Sequence, residues 1–224
     1  MNWNLINSFD RSANAKHPPS WPNEMLVKIL SSSHYSEIAA DSDNISKVLE
    51  VGIFSGNNSR FLIENGYVVS GSEINEEMMN LCESNLKRLN YKVPEIKIGS
   101  NTKLNFDSGE FDLLISINTI HYSSEKDSAE TIQEFSRVIR NGGWAIIETP
   151  ASRHFAVDQS IRHGELNWEW KAGGFRQGEK FGFFDSKEHF KKALLNEFSQ
   201  VVICHRLEEY QHVTLDFWIA ICKK

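Results

Sequence analysis

Two carboxylates and a glycine turn carry the first chemical signal in this chain. The stretch Lys47-Val-Leu-Glu-Val-Gly-Ile-Phe-Ser-Gly-Asn-Asn-Ser-Arg60 sets Glu50 just ahead of Gly52 and Gly56, and Tyr67-Val-Val-Ser-Gly-Ser-Glu73 ends in a second acid. Val48, Leu49 and Val51 form the apolar run of a strand covered on both faces. Gly52 and Gly56 permit turn conformations that a side chain forbids, and Asn57, Asn58 and Ser59 are helix-capping types. Strand, glycine turn, helix, strand, acid is the arrangement that holds a mononucleotide-like ligand at the carboxyl ends of parallel strands. Further on, His121, His154 and His163 are the candidate bases, because imidazole is the side chain that changes charge near neutral pH. Each can equally be a histidine packed for structure. Trp168 and Trp170 could stack on a flat ligand face or pin their own segment to the body.

The turn residues separate two ligand classes. Dinucleotide binding wants G-x-G-x-x-G, because the backbone must close on a pyrophosphate at a helix N-terminus. Counted from Gly52, Phe54 and Asn57 stand where the second and third glycines belong. A pyrophosphate fits poorly there, which disfavours a nicotinamide enzyme. A nucleoside ligand without phosphates needs less bare backbone.

Alternating elements position these groups. Pro22 and the apolar spacing of Met25, Leu26, Ile29 and Leu30 predict a helix of roughly ten residues, followed by a polar connection from Ser31 to Ser46. After the turn, a helix runs to Asn65-Gly66; Asn75 caps another, whose stripe is Met78, Cys82, Leu86 and Leu89. Ile96-Lys-Ile98, Glu110 to Asn118 and Trp144 to Pro150 read as strands three to five, and Asn141-Gly142-Gly143 ends the helix between the last two. Such alternation predicts an α/β parallel sheet with helices on both faces. Residues 151–184 show no periodicity and are expected to be a lid or substrate insertion. Asp185-Ser-Lys-Glu188 forms a capping box, and Val201 to Cys204 with Thr214 to Cys222 are the closing strands.

With Glu50 before the turn and Glu73 after it, the segment resembles the class I S-adenosylmethionine-dependent methyltransferases. Their turn reads E-x-G-x-G-x-G, so Phe54 departs at the middle glycine. Further landmarks follow in order: Asn105-Phe106, Gly109-Glu-Phe-Asp112, Ile117-Asn-Thr-Ile-His-Tyr122 and Arg137-Val-Ile-Arg-Asn-Gly-Gly-Trp144. The resemblance runs from about Lys47 to Pro150 and more loosely to the last strand. It implies a Rossmann-like, seven-stranded, mostly parallel sheet with an antiparallel last strand, and S-adenosyl-L-methionine as cofactor. Carried over by position, Glu50, Gly52, Ile53, Phe54, Gly56 and Asn58 would hold its amino-acid end. Glu73 would accept both ribose hydroxyls and Ile74 would pack on the adenine. Ser100 stands where many members have an Asp for the adenine amino group, and Asn101 beside it is the substitute. Asn118 would offer its backbone to the methionine moiety.

The same resemblance places His121 where acceptor and methyl meet, as the first candidate base, with His154 and His163 next. Tyr122, Arg153, Trp168 and Trp170 are the candidate acceptor contacts. A hydroxyl acceptor needs a base, an amine need only be bound uncharged, and a carboxylate needs neither. His17-Pro-Pro-Ser-Trp-Pro-Asn-Glu24, Met25-Leu-Val-Lys28 and Phe183-Phe-Asp-Ser-Lys-Glu188 are similar to bacterial methyltransferases acting on sugars of capsule or other surface polysaccharides. That implies O-methylation of a sugar or sugar nucleotide. An N- or carboxyl-methyltransferase of another metabolite, and a non-catalytic cofactor-binding subunit, stay open beside it.

Bulk properties narrow the field. At 224 residues a single domain is expected, with residues 1–21 as an N-terminal arm. A net charge of −6 argues against a nucleic-acid surface, which needs clustered Lys and Arg. No apolar run approaches a membrane span, and Met1-Asn-Trp-Asn-Leu5 is no signal peptide. Cys82, Cys204 and Cys222 lack metal-ligand spacing; they read as buried thiols in a reducing, cytoplasmic compartment. No metal site, Walker loop or Ser-His-Asp set is expected.

Overall fold

In the computed structural model, residues 21–173 and 176–224 are described; of the expected arm over residues 1–21, residues 1–20, with His17, lie outside them. Five parallel strands come first: β1 (Lys47–Val51), β2 (Val68–Glu73), β3 (Glu95–Ile98), β4 (Phe111–Ile117) and β5 (Ile139–Pro150). Three short strands follow, β6 (Ser160–Gly164), β7 (Asn167–Trp170) and β8 (Lys180–Phe181), then β9 (Gln200–Glu209) and β10 (Thr214–Lys223). The main sheet is seven-stranded in the order β3-β2-β1-β4-β5-β10-β9. Only β10 runs antiparallel, against both β5 and β9. This is the Rossmann-like sheet expected, antiparallel last strand included. The order reverses between β1 and β4, so the crevice at their carboxyl ends is a topological switch point.

Helices cover both faces, because adjacent strand residues point to opposite sides. Val48, Leu113 and Ile115 pack with Leu26 and Ile29 of α1 (Glu24–Ser31) and with Leu62. Leu49 and Leu114 pack on the other face with Phe135, Phe190 and Leu194. A one-turn α2 (Glu37–Ala40) lies in the connection read as polar, and buries Ile38 beside α1. The next helices are α3 (Asn57–Glu64), α4 (Glu76–Arg88), α5 (Glu125–Val138), α6 (Phe155–Asp158) and α7 (Lys187–Leu194). Among the described residues no helix is long and apolar enough to cross a membrane. Cys82 and Cys222 are buried and Cys204 half-buried, all as free thiols.

Several local expectations are corrected. Asn23, one residue after Pro22, caps the eight-residue α1 through its side chain. The cap of α3 is the left-handed Gly56, without a side-chain hydrogen bond. α5 stops at Val138, ahead of the Asn141-Gly142-Gly143 signal, because Ile139 already pairs with Phe111 in the sheet. Ser186 rather than Asp185 caps α7, accepting from the His189 N–H. Residues 151–184, read as aperiodic, hold α6 and a three-stranded antiparallel sheet, β6-β7-β8. These strands are too short to show a period, and a cluster of Ala156, Trp170, Phe181 and Phe183 holds them together.

Gly182 seats this small sheet on the body. Its N–H donates to the His121 carbonyl at 2.7 Å, and a Cβ there would fall 2.4 Å from the Ser123 carbonyl oxygen. Gly182→Ala is expected to destabilise the fold by about 1–3 kcal/mol, the usual cost of forcing atoms into a packed contact. Urea denaturation monitored by circular dichroism measures it.

Candidate active site

The turn after β1 is shaped by contacts to its neighbours. Gly52 has φ +71°, and a Cβ there would lie 2.4 Å from Thr119 Cγ2. The N–H groups of Gly52 and Ile53 both donate to the Ser72 carbonyl, at 2.9 and 3.2 Å. Phe54 takes the left-handed conformation too, at φ 46°, which costs a non-glycine residue on the order of 1–2 kcal/mol. Its N–H donates to Glu73 Oε1 at 2.7 Å, and the charge-assisted bond offsets that strain. Ile74 N–H donates to Glu73 Oε2 at 3.0 Å. Burial pushes the Glu73 carboxyl upward in pKa, opposed by these two backbone donors.

Glu50 faces away from this turn, toward the start of α3. Asn58 Nδ2 donates to it at 3.0 Å, and the Ser59 hydroxyl donates to its second oxygen. Full burial raises its pKa to about 7, with these donors opposing. Asn58 Oδ1 in turn accepts the Asn23 N–H at 2.8 Å. Ile53 is fully buried with Cys82 and Leu86. Glu50, Ile53, Gly56 and Asn58 therefore stand behind the turn and do not line the cavity beside it.

That cavity is about 500 Å³ and opens at the carboxyl ends of β1, β2 and β4. Gly52, Phe54, Glu73, Ile74, Met78 and Asn101 form one end. Asn101 Nδ2 donates to the Thr119 carbonyl at 3.0 Å. Ser100 stays off the wall, its hydroxyl 3.0 Å from that of Thr102. Asn118, left-handed at φ 56°, sits at the middle. Its N–H meets the Glu148 carbonyl at 3.2 Å and its Nδ2 donates to Glu148 Oε1, also at 3.2 Å. Asn118 Oδ1 is buried without a hydrogen-bond partner among the described residues. Glu148 is fully buried; desolvation lifts its pKa to about 7 against the pull of Arg206, 3.0 Å away.

The other end is aromatic. His121, Tyr122, Phe155, Trp170, Phe181 and Phe217 line it, with Arg176 among them. Arg176 pairs with Glu179 at 3.0 Å. His121 is buried, with its ring centroid 5.8 Å from that of Phe181, and its Nδ1 meets no hydrogen-bond partner among the described residues. Burial first, then the Arg176 charge, holds its pKa down to about 3, so the ring is neutral. His154 is also neutral, lowered to about 4 chiefly by burial. Its Nδ1 accepts the Ala156 N–H at 3.1 Å, which assigns the ring proton to Nε2 and makes that atom a donor.

Of the three candidate bases, His121 and His154 thus reach the cavity. His163 pairs with Glu169 on the outside of β6 at 3.1 Å. Of the candidate acceptor contacts, Tyr122 and Trp170 line the wall. Arg153 instead pairs with Glu209 on the surface at 2.7 Å, and Trp168 packs on Phe183 with ring centroids 5.8 Å apart. Sequence reasoning missed Thr119, Phe155, Arg176, Phe181 and Phe217 as wall residues and read Met78 as core. Met78 had a signal, since it sits in the first turn of the helix after Glu73. The aromatics of residues 151–184 had none, because the pairing of β7 with β8 decides which of them face inward. Among the described residues no cluster of His, Cys, Asp and Glu could hold a metal ion.

Residues 49–147 match the family described as "Methyltransferase domain". An uncharacterized methyltransferase of Bacillus cytotoxicus is 30% identical over 115 residues, which cover 50% of this chain and 51% of that protein. The chain spans 51–62% of the length of the curated relatives it matches. A solved S-adenosylmethionine-dependent methyltransferase of Clostridium acetobutylicum superposes with a TM-score of 0.66 at 13% identity, over 99% of this chain and 98% of that one. The 1,6-didemethyltoxoflavin-N1-methyltransferase of Burkholderia thailandensis, solved with S-adenosylhomocysteine bound, gives 0.59 at 13% identity over 83% and 73%. At such identities the structures speak for the fold, and the family match speaks for the domain. Residues 49–147 are thus similar to a methyltransferase domain, and the chain shares the Rossmann-like fold of solved S-adenosylmethionine-dependent methyltransferases.

Proposed function

We propose that this protein transfers a methyl group from S-adenosylmethionine to a small acceptor bound in the aromatic half of the cavity. The observation that carries this reading is Glu73, which ends β2 on the cavity wall with each oxygen anchored to a turn N–H. Each oxygen keeps a lone pair for a ribose hydroxyl. The close approach of Gly52 to Thr119 and the orphaned Asn118 Oδ1 also fit a nucleoside amino acid. Ile74 and Met78 would flank the adenine, and Asn101 would meet its amino group. Gly52 and Asn118 would hold the methionine end, while Glu50 would act from behind by fixing the start of α3.

The cofactor supplies an electrophilic methyl on a sulfonium sulfur. As an acceptor lone pair forms the new bond to carbon, the carbon–sulfur pair leaves with sulfur, and an acceptor proton must be taken up. The aromatic walls exclude water and hold the acceptor at attack distance. Neutral His121, whose Nδ1 has no hydrogen-bond partner among the described residues, is the group placed to receive that proton. The narrower reading, O-methylation of a sugar for a surface polysaccharide in the cytoplasm, would use the Trp170 face on the wall, but the described wall offers a sugar's hydroxyls few partners. A non-catalytic subunit is disfavoured by Phe54, whose departure from glycine is accommodated by its bond to Glu73.

Glu73→Ala is expected to weaken S-adenosylhomocysteine binding roughly ten- to hundredfold, the loss of about 1.5–3 kcal/mol in hydrogen bonds to a charged group. Titration calorimetry reads this directly, and an unchanged affinity would refute the cofactor assignment. Glu50 gives a pH prediction. Its carboxyl titrates at about 7 in the fold against an ordinary 4.5, so between those values the folded state holds a proton that the unfolded chain has released. The stability linked to it is complete below pH 4.5 and is lost as pH rises through 7. Wild type should therefore lose more stability between pH 5 and pH 8 than Glu50→Gln does, as measured by urea midpoints at the two pH values.

A further inference from the structure

Among the described residues, the aromatic half of the cavity is poor in hydrogen-bonding side chains, and His121 Nδ1 is the buried atom of its wall left without a partner. Beyond the Asn118–Thr119 corner, its polar side chains among the described residues are His121, Tyr122, His154 and Arg176. His154 Nδ1 is taken by the Ala156 N–H. The Trp170 indole N–H turns away to the Gly173 carbonyl at 3.0 Å. Arg176 is matched by the buried Glu179, and both histidines are neutral. Among the described residues this end of the cavity therefore offers no carboxylate or amide side chain, and its one guanidinium is ion-paired.

A sugar ring presents several hydroxyls, each a donor and an acceptor, and every one buried without a partner costs affinity. A sugar nucleotide adds a diphosphate, and among the described residues the wall has a single cation for it, Arg176, already ion-paired with Glu179. Flat π-faces are what the wall does supply. Phe155 meets Trp170 edge-on at 6.2 Å, and Trp170 meets Phe181 edge-on at 6.4 Å. Phe217 closes the far side against His154 at 4.9 Å. The cavity, at about 500 Å³, has to hold both cofactor and acceptor, which leaves room for a compact ring system.

Resting on the methyltransferase reading, we propose that the acceptor is an uncharged, planar aromatic or heteroaromatic molecule with few polar groups, seated among Phe155, Trp170, Phe181 and Phe217. The test uses the full-length protein saturated with S-adenosylhomocysteine and titration calorimetry with three probes: 2-naphthol, methyl α-glucopyranoside and UDP-glucose. 2-Naphthol should bind, with both sugar probes at least about a hundredfold weaker, since they would bury unpaired polar groups. Trp170→Ala should weaken 2-naphthol about tenfold through lost stacking and contact area, with S-adenosylhomocysteine affinity within about twofold of wild type. If Trp170→Ala fails to fold, seen as lost S-adenosylhomocysteine binding, Phe155→Ala takes its place with the same expectation. Preferred binding of either sugar probe overturns the proposal. So does absent 2-naphthol binding, or 2-naphthol affinity that survives both substitutions. In all three cases intact S-adenosylhomocysteine binding leaves the methyltransferase reading standing, whereas a wild type that does not bind it removes both.

Discussion

The site depends on one carboxylate holding two backbone amides. Glu73 draws the Phe54 N–H to one oxygen and the Ile74 N–H to the other, so the turn after β1 and the turn after β2 are clamped across the mouth of the crevice. The bond to Glu73 offsets part of the strain in the left-handed Phe54 backbone and so helps hold the loop's shape. The parallel pairing of Val51 with Ser72 brings the two strand ends level. The helices on both faces then fix that pairing by burying alternate residues of the same strands.

Behind this clamp lies a polar layer that joins three loops. Glu50 organises the start of α3 through Asn58 and Ser59. Asn58 receives the Asn23 backbone N–H, and Glu148 holds the left-handed Asn118. Burial pushes both carboxyls upward in pKa, opposed at Glu50 by the Ser59 and Asn58 donors and at Glu148 by the Arg206 charge. Such a network fixes loop geometry at some cost in stability.

How much of this was legible in the sequence depended on the length scale of each signal. The main strands announced themselves through apolar runs such as Leu113 to Ile115, and the Glu50–Gly52–Glu73 spacing located the crevice. Glu73 and Asn118 fell on the cavity wall as their positions implied. Glu50, Ile53 and Asn58 did not, because the sequence shows that a residue belongs to a turn but not toward which side it points. His121 and Tyr122 were legible as residues just past β4; His163 and Arg153 were misplaced because charged partners, Glu169 and Glu209, hold them at the surface. The small sheet was invisible for a physical reason: strands of two to five residues gain their stability from aromatic packing that forms only in three dimensions.

Asn57 Nδ2 donates to the Trp21 carbonyl at 2.9 Å, while the Trp21 side chain is largely exposed, at 73%. The indole therefore hangs in solvent from a backbone tied to the first turn of α3. It is one of six tryptophans, and with the other five replaced by phenylalanine its emission would report rearrangement of the loop without an attached dye.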